Sequence, residues 1–134
     1  MPFAKLTLST NPSPAEASHL CRALTDLIAS DLQKRHELTS VLIDVPTAGH
    51  WTIGGTTQRT AAHLEVCVTA GTNLDAQKRR FMANAMALLR DAFPGLDPAT
   101  YIIIKALPAT DWGYGGRSQA DRAGSRDTPA DTPQ

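Results

Sequence analysis

Residues 50–55 read His50-Trp51-Thr52-Ile53-Gly54-Gly55, and residues 111–116 read Asp111-Trp112-Gly113-Tyr114-Gly115-Gly116. The tryptophans are 61 positions apart, and so are the two Gly-Gly pairs. The echo gains weight from the order of the segments before each copy. From Phe3 to Leu8, Leu6 and Leu8 alternate with Lys5 and Thr7, the period-2 pattern of a half-buried strand. Ser13-Pro14-Ala15-Glu16 is a helix start, with Ser13 as cap, Pro14 in the first turn and Glu16 closing a capping box. Ala17, Leu20, Cys21, Leu24, Leu27, Ile28 and Leu32 then recur at helical spacing. The polar run Gln33 to Glu37 ends that helix, and Val41 to Val45 is a second strand stopped by Pro46.

After the first aromatic-Gly-Gly copy the order returns. Leu64, Val66 and Val68 alternate with His63, Glu65, Cys67 and Thr69. Thr72 and Asp75 have capping-box spacing, with Asn73 as an alternative cap. Phe81, Ala85, Leu88, Leu89 and Ala92 stripe a second helix that stops before Pro94-Gly95. Tyr101 to Leu107 is a fourth strand. The chain therefore reads as a duplicated β-α-β unit, about 2–60 and 61–117. Each crossover is expected to be right-handed with its strands parallel. The fold class is α+β: a four-stranded sheet with two helices on one face. Residues 1–117 form one domain. Ser118 to Gln134 has no aromatic and no aliphatic larger than Ala, so 118–134 is read as a disordered tail.

Tyr101-Ile102-Ile103-Ile104 places apolar side chains on both faces of its strand, and Leu42 faces away from Val41 and Ile43. Two helices cover one face only. The sequence thus points to a sheet-to-sheet oligomer.

Composition narrows the function. Thirteen Lys+Arg balance thirteen Asp+Glu, which argues against a general nucleic-acid binder or an electrostatic membrane anchor. No apolar run reaches the ~20 residues of a membrane span, and no signal peptide is visible, so a cytoplasmic location is expected. Cys21 and Cys67 read as reduced, packed thiols. His19, His36, His50 and His63 lie in four different elements without metal-ligand spacing, and no metal is expected. Gly49 to Gly55 lacks the Lys-Ser/Thr of a phosphate loop.

The chemical signal is at the start. Met1 precedes the small residue Pro2, a context in which the initiator is normally removed. The exposed secondary amine has a reference pKa of about 7.7–8. An apolar pocket or a nearby cation lowers it, which makes a general acid/base for neutral pH. Pro2 heading a β-α-β unit, the hairpin Gly49 to Gly55, and a second such unit together resemble the tautomerase superfamily. The half-length members are like 4-oxalocrotonate tautomerase. The two-unit members include macrophage migration inhibitory factor and the chloroacrylic acid dehalogenases. The resemblance covers about residues 2–117. It implies a catalytic Pro2, one site per chain, no cofactor, and a homotrimer with sheets facing inward.

The chain departs from the family at named positions. The carboxylate-binding arginines of the oxalocrotonate type would fall near Asn11-Pro12, Leu42, Gly71-Thr72 and Tyr101 or Ile102, and none is arginine. The arginine pair of the dehalogenases would fall in Thr72-Asn73-Leu74-Asp75, and their water-activating glutamate near Trp112-Gly113-Tyr114. Lys34 lies where the cytokine-like members carry a lysine after the first helix. Lys105, on the face shared with Tyr101 and Ile103, is either a site residue or a surface lysine. Backbone N–H groups at Asn73 could stabilise an enolate, and Trp112 with Tyr114 resembles the family's aromatic wall. The resulting expectation is a cofactor-free keto–enol tautomerase. Pro2 would be catalytic, with Lys34, Asn73, Tyr101, Lys105 and Trp112 binding a small 2-oxo or 2-hydroxy-unsaturated acid. The alternatives are a dehalogenase or hydratase of small unsaturated acids, with Asp111 activating water, and a non-enzymatic trimeric binding protein.

Overall fold

A computed structural model describes residues 2–47, 49–57 and 60–124. The elements run β1 (Phe3–Leu8), α1 (Pro14–Asp31), a single 3-10 turn (His36–Leu38), β2 (Ser40–Asp44), β3 (Thr52–Ile53), β4 (Thr56–Thr57), β5 (Ala62–Thr69), α2 (Asp75–Ala92), β6 (Tyr101–Leu107), β7 (Gly113–Tyr114), β8 (Arg117–Ser118) and α3 (Gln119–Gly124). The main sheet has the order β2-β1-β5-β6. β1 and β2 are parallel, as are β5 and β6. The two halves meet along an antiparallel seam between β1 and β5, with Leu6 opposite Leu64.

Alternation decides which face is covered. Ala4, Leu6 and Leu8 of β1 and Leu64, Val66 and Val68 of β5 are buried. They form one core with Leu20, Leu24, Ile28 and Leu32 of the first helix region and Phe81, Ala85 and Leu89 of α2. At about 25 cal/mol per Å² of buried apolar surface, this layer supplies most of the driving force. The opposite face carries Phe3, Leu42, Tyr101 and Ile103, all more than a third exposed. It is not uniformly apolar. Lys5 reaches Asp44 at 3.9 Å, and Glu65 takes both His63 (3.0 Å) and Lys105 (2.5 Å).

The two aromatic-Gly-Gly copies are two small hairpins of the same build. Gly54 and Gly55 have φ 61° and 80°, and Gly115 and Gly116 have φ 62° and 81°. Two successive positive φ values are the signature of a tight hairpin turn, which only residues such as glycine adopt cheaply.

Three expectations need correction. α2 is not capped by Thr72 or Asn73; its cap position is Leu74, whose N–H donates to the Gln77 carboxamide at 2.8 Å. The Thr72 hydroxyl is already engaged by Lys34 and by the Thr69 carbonyl. The domain also runs past residue 117. Ser118 completes β8 and 119–124 form α3, tied back by Gln119 N–H to Trp112 O (2.9 Å) and Ala120 N–H to Ala109 O (2.9 Å). Arg122 lies 3.7 Å above the Tyr114 ring. Backbone hydrogen bonds and a cation–π contact order this segment without large aliphatic side chains. The rest of the expected tail, 125–134, lies outside the described residues. Finally, β2 begins one residue before the expected Val41 and ends at Asp44.

Candidate active site

Pro2 enters β1 fully buried, and its carbonyl accepts a hydrogen bond from Ser40 N–H at 3.2 Å. Phe3 pairs with Cys67, so Pro2 lies beside the last residues of β5. Removal of Met1, the expectation on which Pro2 chemistry depends, concerns a residue outside the described set.

Three connections gather at this end of the sheet. The first leaves α1. Leu32 is the C-cap, Gln33 takes a left-handed φ of 56°, and Lys34 N–H returns to Ala29 O at 3.2 Å. This is a Schellman-type ending with glutamine where glycine is usual. It turns Lys34 inward, leaving that residue 7% exposed. The second connection is the β5–α2 turn. Asn73 Nδ2 donates to Leu32 O (2.8 Å) and to Gln77 Oε1 (3.1 Å), locking the turn to the end of α1. Thr72 Oγ1 accepts from Lys34 Nζ at 2.8 Å and donates to Thr69 O at 2.6 Å. The third is the entry to the last hairpin, where Trp112 Nε1 donates to Thr69 Oγ1 at 3.2 Å.

Burial pushes the Lys34 ammonium down to about 8, because the charged form loses its hydration. At pH 7 it still carries its proton. An ammonium has three N–H donors. One goes to Thr72, and two remain for an oxyanion. The arrangement therefore links a buried cation, through Thr72 and Thr69, to the Trp112 indole at the end of the sheet that Pro2 enters.

Lys34, Asn73 and Trp112 are thus brought together. Tyr101 and Lys105 are not part of that group. Tyr101 opens β6 opposite His63, at the far end of the sheet, and is 70% exposed. Lys105 lies on the uncovered face, where its ion pair with Glu65 raises its pKa and lowers that of the carboxyl. An exposed, edge-strand lysine with a carboxylate partner carries little desolvation cost. Thr69 and Thr72 were missed as site residues. The available signal was Thr69, a threonine ending the alternating strand that carries Leu64, Val66 and Val68.

Cys21 and Cys67 are free, half-buried thiols, and burial raises Cys67. Among the described residues no three His, Cys, Asp or Glu side chains gather as a metal site would require, and no helix is long and apolar enough to cross a membrane.

No family model and no curated protein matches the chain. Solved structures do. A macrophage migration inhibitory factor-like protein from Entamoeba histolytica superposes with a TM-score of 0.74 at 15% identity, over 87% of this chain and 97% of that one. F6 fused 4-OT, an asymmetric trimer, gives 0.78 at 23% identity, over 92% and 99%. Pt0534 inactivated by 2-oxo-3-pentynoate gives 0.81 at 13% identity, over 91% and 98%. The chain has the α+β fold of the tautomerase superfamily. Within that fold it has the two-unit arrangement of the fused 4-OT and migration inhibitory factor-like structures, as the sequence resemblance implied.

Proposed function

We propose that the chain is a cofactor-free keto–enol tautomerase whose mature form begins at Pro2. The observation that carries this reading is that a buried Pro2 and a buried Lys34, lowered to about 8, both lie at the same end of the sheet. The proline nitrogen removes a proton from an enol hydroxyl or an acidic carbon and returns it elsewhere on the conjugated system. Lys34, cationic at neutral pH, binds the substrate carboxylate or the developing enolate and also favours a neutral proline nitrogen. One cation suits a small monoacid better than a dicarboxylate. Trp112 supplies an apolar wall, and Asn73 holds the β5–α2 turn against the end of α1.

We place the working form as a homotrimer with the uncovered sheet faces inward. The exposed Phe3, Leu42, Tyr101 and Ile103 support this, and the fused 4-OT structures were determined as trimers. In such an assembly Tyr101 and Lys105 act, if at all, across a subunit boundary. Sedimentation at micromolar concentration should give a trimer, and a monomer would refute that arrangement.

The decisive experiment has two parts. Mass spectrometry should find Met1 absent. Ketonisation of phenylpyruvate and 2-hydroxymuconate should then fall by about 10²-fold or more in Pro2→Ala, the usual worth of a general acid/base. Equal rates, or no rate in either protein, would overturn the proposal.

A further inference from the structure

We propose that Thr72 and Thr69 are positioning residues for this site: Thr72 fixes the direction of the Lys34 ammonium, and Thr69 joins that hydroxyl to the indole of Trp112 in one hydrogen-bonded chain. The inference rests on the tautomerase reading for its kinetic consequences, but its geometry stands by itself. The Thr72 hydroxyl has one proton, and a 2.6 Å bond to Thr69 O commits it there. Its lone pairs then face Lys34 Nζ at 2.8 Å. The polarity of the hydroxyl is thus set by the backbone of β5, and the lysine can only donate to it. Thr69 contributes twice. Its carbonyl holds Thr72, and its own hydroxyl oxygen accepts from Trp112 Nε1 at 3.2 Å. Thr69 is 7% exposed, which shields the link from competition with water.

The two legs separate chemically. The Thr72 leg uses the Thr69 backbone and survives any change of side chain at 69. The Trp112 leg uses the side chain alone. The charged groups around Lys34 are engaged elsewhere: Asp31 with Asn84 (2.8 Å) and Arg80 (3.6 Å), and Arg35 with Glu37 (2.6 Å). Asp75 opens α2 three residues beyond Thr72, and at the end of the sheet that Pro2 enters Cys67 lies opposite Phe3 and Lys105, whose ammonium is held by Glu65. Among the described residues no carboxylate forms an ion pair with Lys34, so removing the Thr72 acceptor takes away a stabiliser of the ammonium.

The test is a direct titration of Lys34 by NMR of isotope-labelled lysine side chains in the full-length protein, with circular dichroism as the folding check. In Thr72→Val the Lys34 midpoint should fall by about one unit, the low end of what a hydrogen bond to a charged group is worth. Thr72→Ser should restore it. Thr69→Val should leave that midpoint in place while shifting the Trp112 indole N–H resonance. With phenylpyruvate, Thr72→Val should lower kcat/KM by about tenfold and move the alkaline limb of its pH profile acidward, whereas Thr69→Val should raise KM with little change in kcat. If Thr72→Val does not fold, Thr72→Ala is titrated in its place. An unchanged Lys34 midpoint in folded Thr72→Val, or an equal shift in Thr69→Val, would overturn the inference. Because the titration needs no turnover, a chain without ketonisation activity would refute the tautomerase reading while this result still stood.

Discussion

α1 opens on Ser13, whose hydroxyl accepts from Glu16 N–H at 3.1 Å while the Glu16 carboxylate accepts from Ser13 N–H at 2.9 Å. Sixty-one residues on, α2 opens on Leu74, where only the second half of that exchange persists, from Leu74 N–H to Gln77 at 2.8 Å. The two units were cut to one pattern and then diverged. The same offset sets Lys34 against Gly95, which has no side chain, and Thr69 against Leu8, which has no hydroxyl. It also sets Thr72 and Asn73 against Asn11 and Pro12. In the second unit the residues before the helix do more than serve the helix. They reach across the sheet end to the first unit, to Lys34 and to Leu32 O. One scaffold therefore presents two similar ends, and among the described residues the buried cation lies at the end entered by Pro2.

Three substitutions probe that asymmetry. The largest effect is expected at Lys34. Lys34→Met should lower ketonisation by about 10²-fold, comparable to loss of one preorganised donor at a developing charge. The same variant should be more stable at pH 7. Lys34 titrates at about 8 in the folded chain against an ordinary 10.5. Between those values the unfolded chain binds more protons, so stability of the parent rises with pH across that window. Below it both states are charged and the burial cost is fully felt. Thermal melts should therefore show the advantage of Lys34→Met at pH 7 shrinking towards pH 10.5.

Next comes the core. Leu20, Leu24 and Ile28 of α1 correspond by offset to Phe81, Ala85 and Leu89 of α2, so the bulk is distributed differently along the two stripes. Leu24 is fully buried. Leu24→Ala should cost about 3 kcal/mol in denaturant unfolding through the cavity it leaves beside an already small partner stripe. A cost below about 1 kcal/mol would show that the two stripes do not share one packed layer. The smallest effect is at the cap. Leu74 is 69% exposed, so Leu74→Ser should rebuild the missing half of the capping box and add about 0.5–1 kcal/mol. No gain would mean that the Lys34–Thr72 contact, and not the residue at 74, dictates how α2 starts.

The scaffold was readable because its signals are local. The alternation of β1 and β5, the Ser13–Glu16 exchange and the two Gly-Gly turns each lie within a few residues. The candidate site was readable only as separate residues. Lys34 meets Thr72 across 38 positions and Trp112 meets Thr69 across 43, and no periodicity records such a meeting. That is also why the Thr72 cap failed: the spacing was right, but a distant side chain had already claimed the hydroxyl. Tyr101 and Lys105 show the converse. Their strand was placed correctly, yet in the chain by itself Tyr101 lies at the other end of the sheet from Trp112, and Lys105 is held by Glu65.

The antiparallel seam bears on biosynthesis. A ribosome delivers the first half before the second, so the nascent chain displays the β1 border that β5 will later occupy. Until residues 62–69 emerge, the best imitation of the missing neighbour is the same border on another polyribosome product. Crowded translation would then favour hybrid pairs of halves.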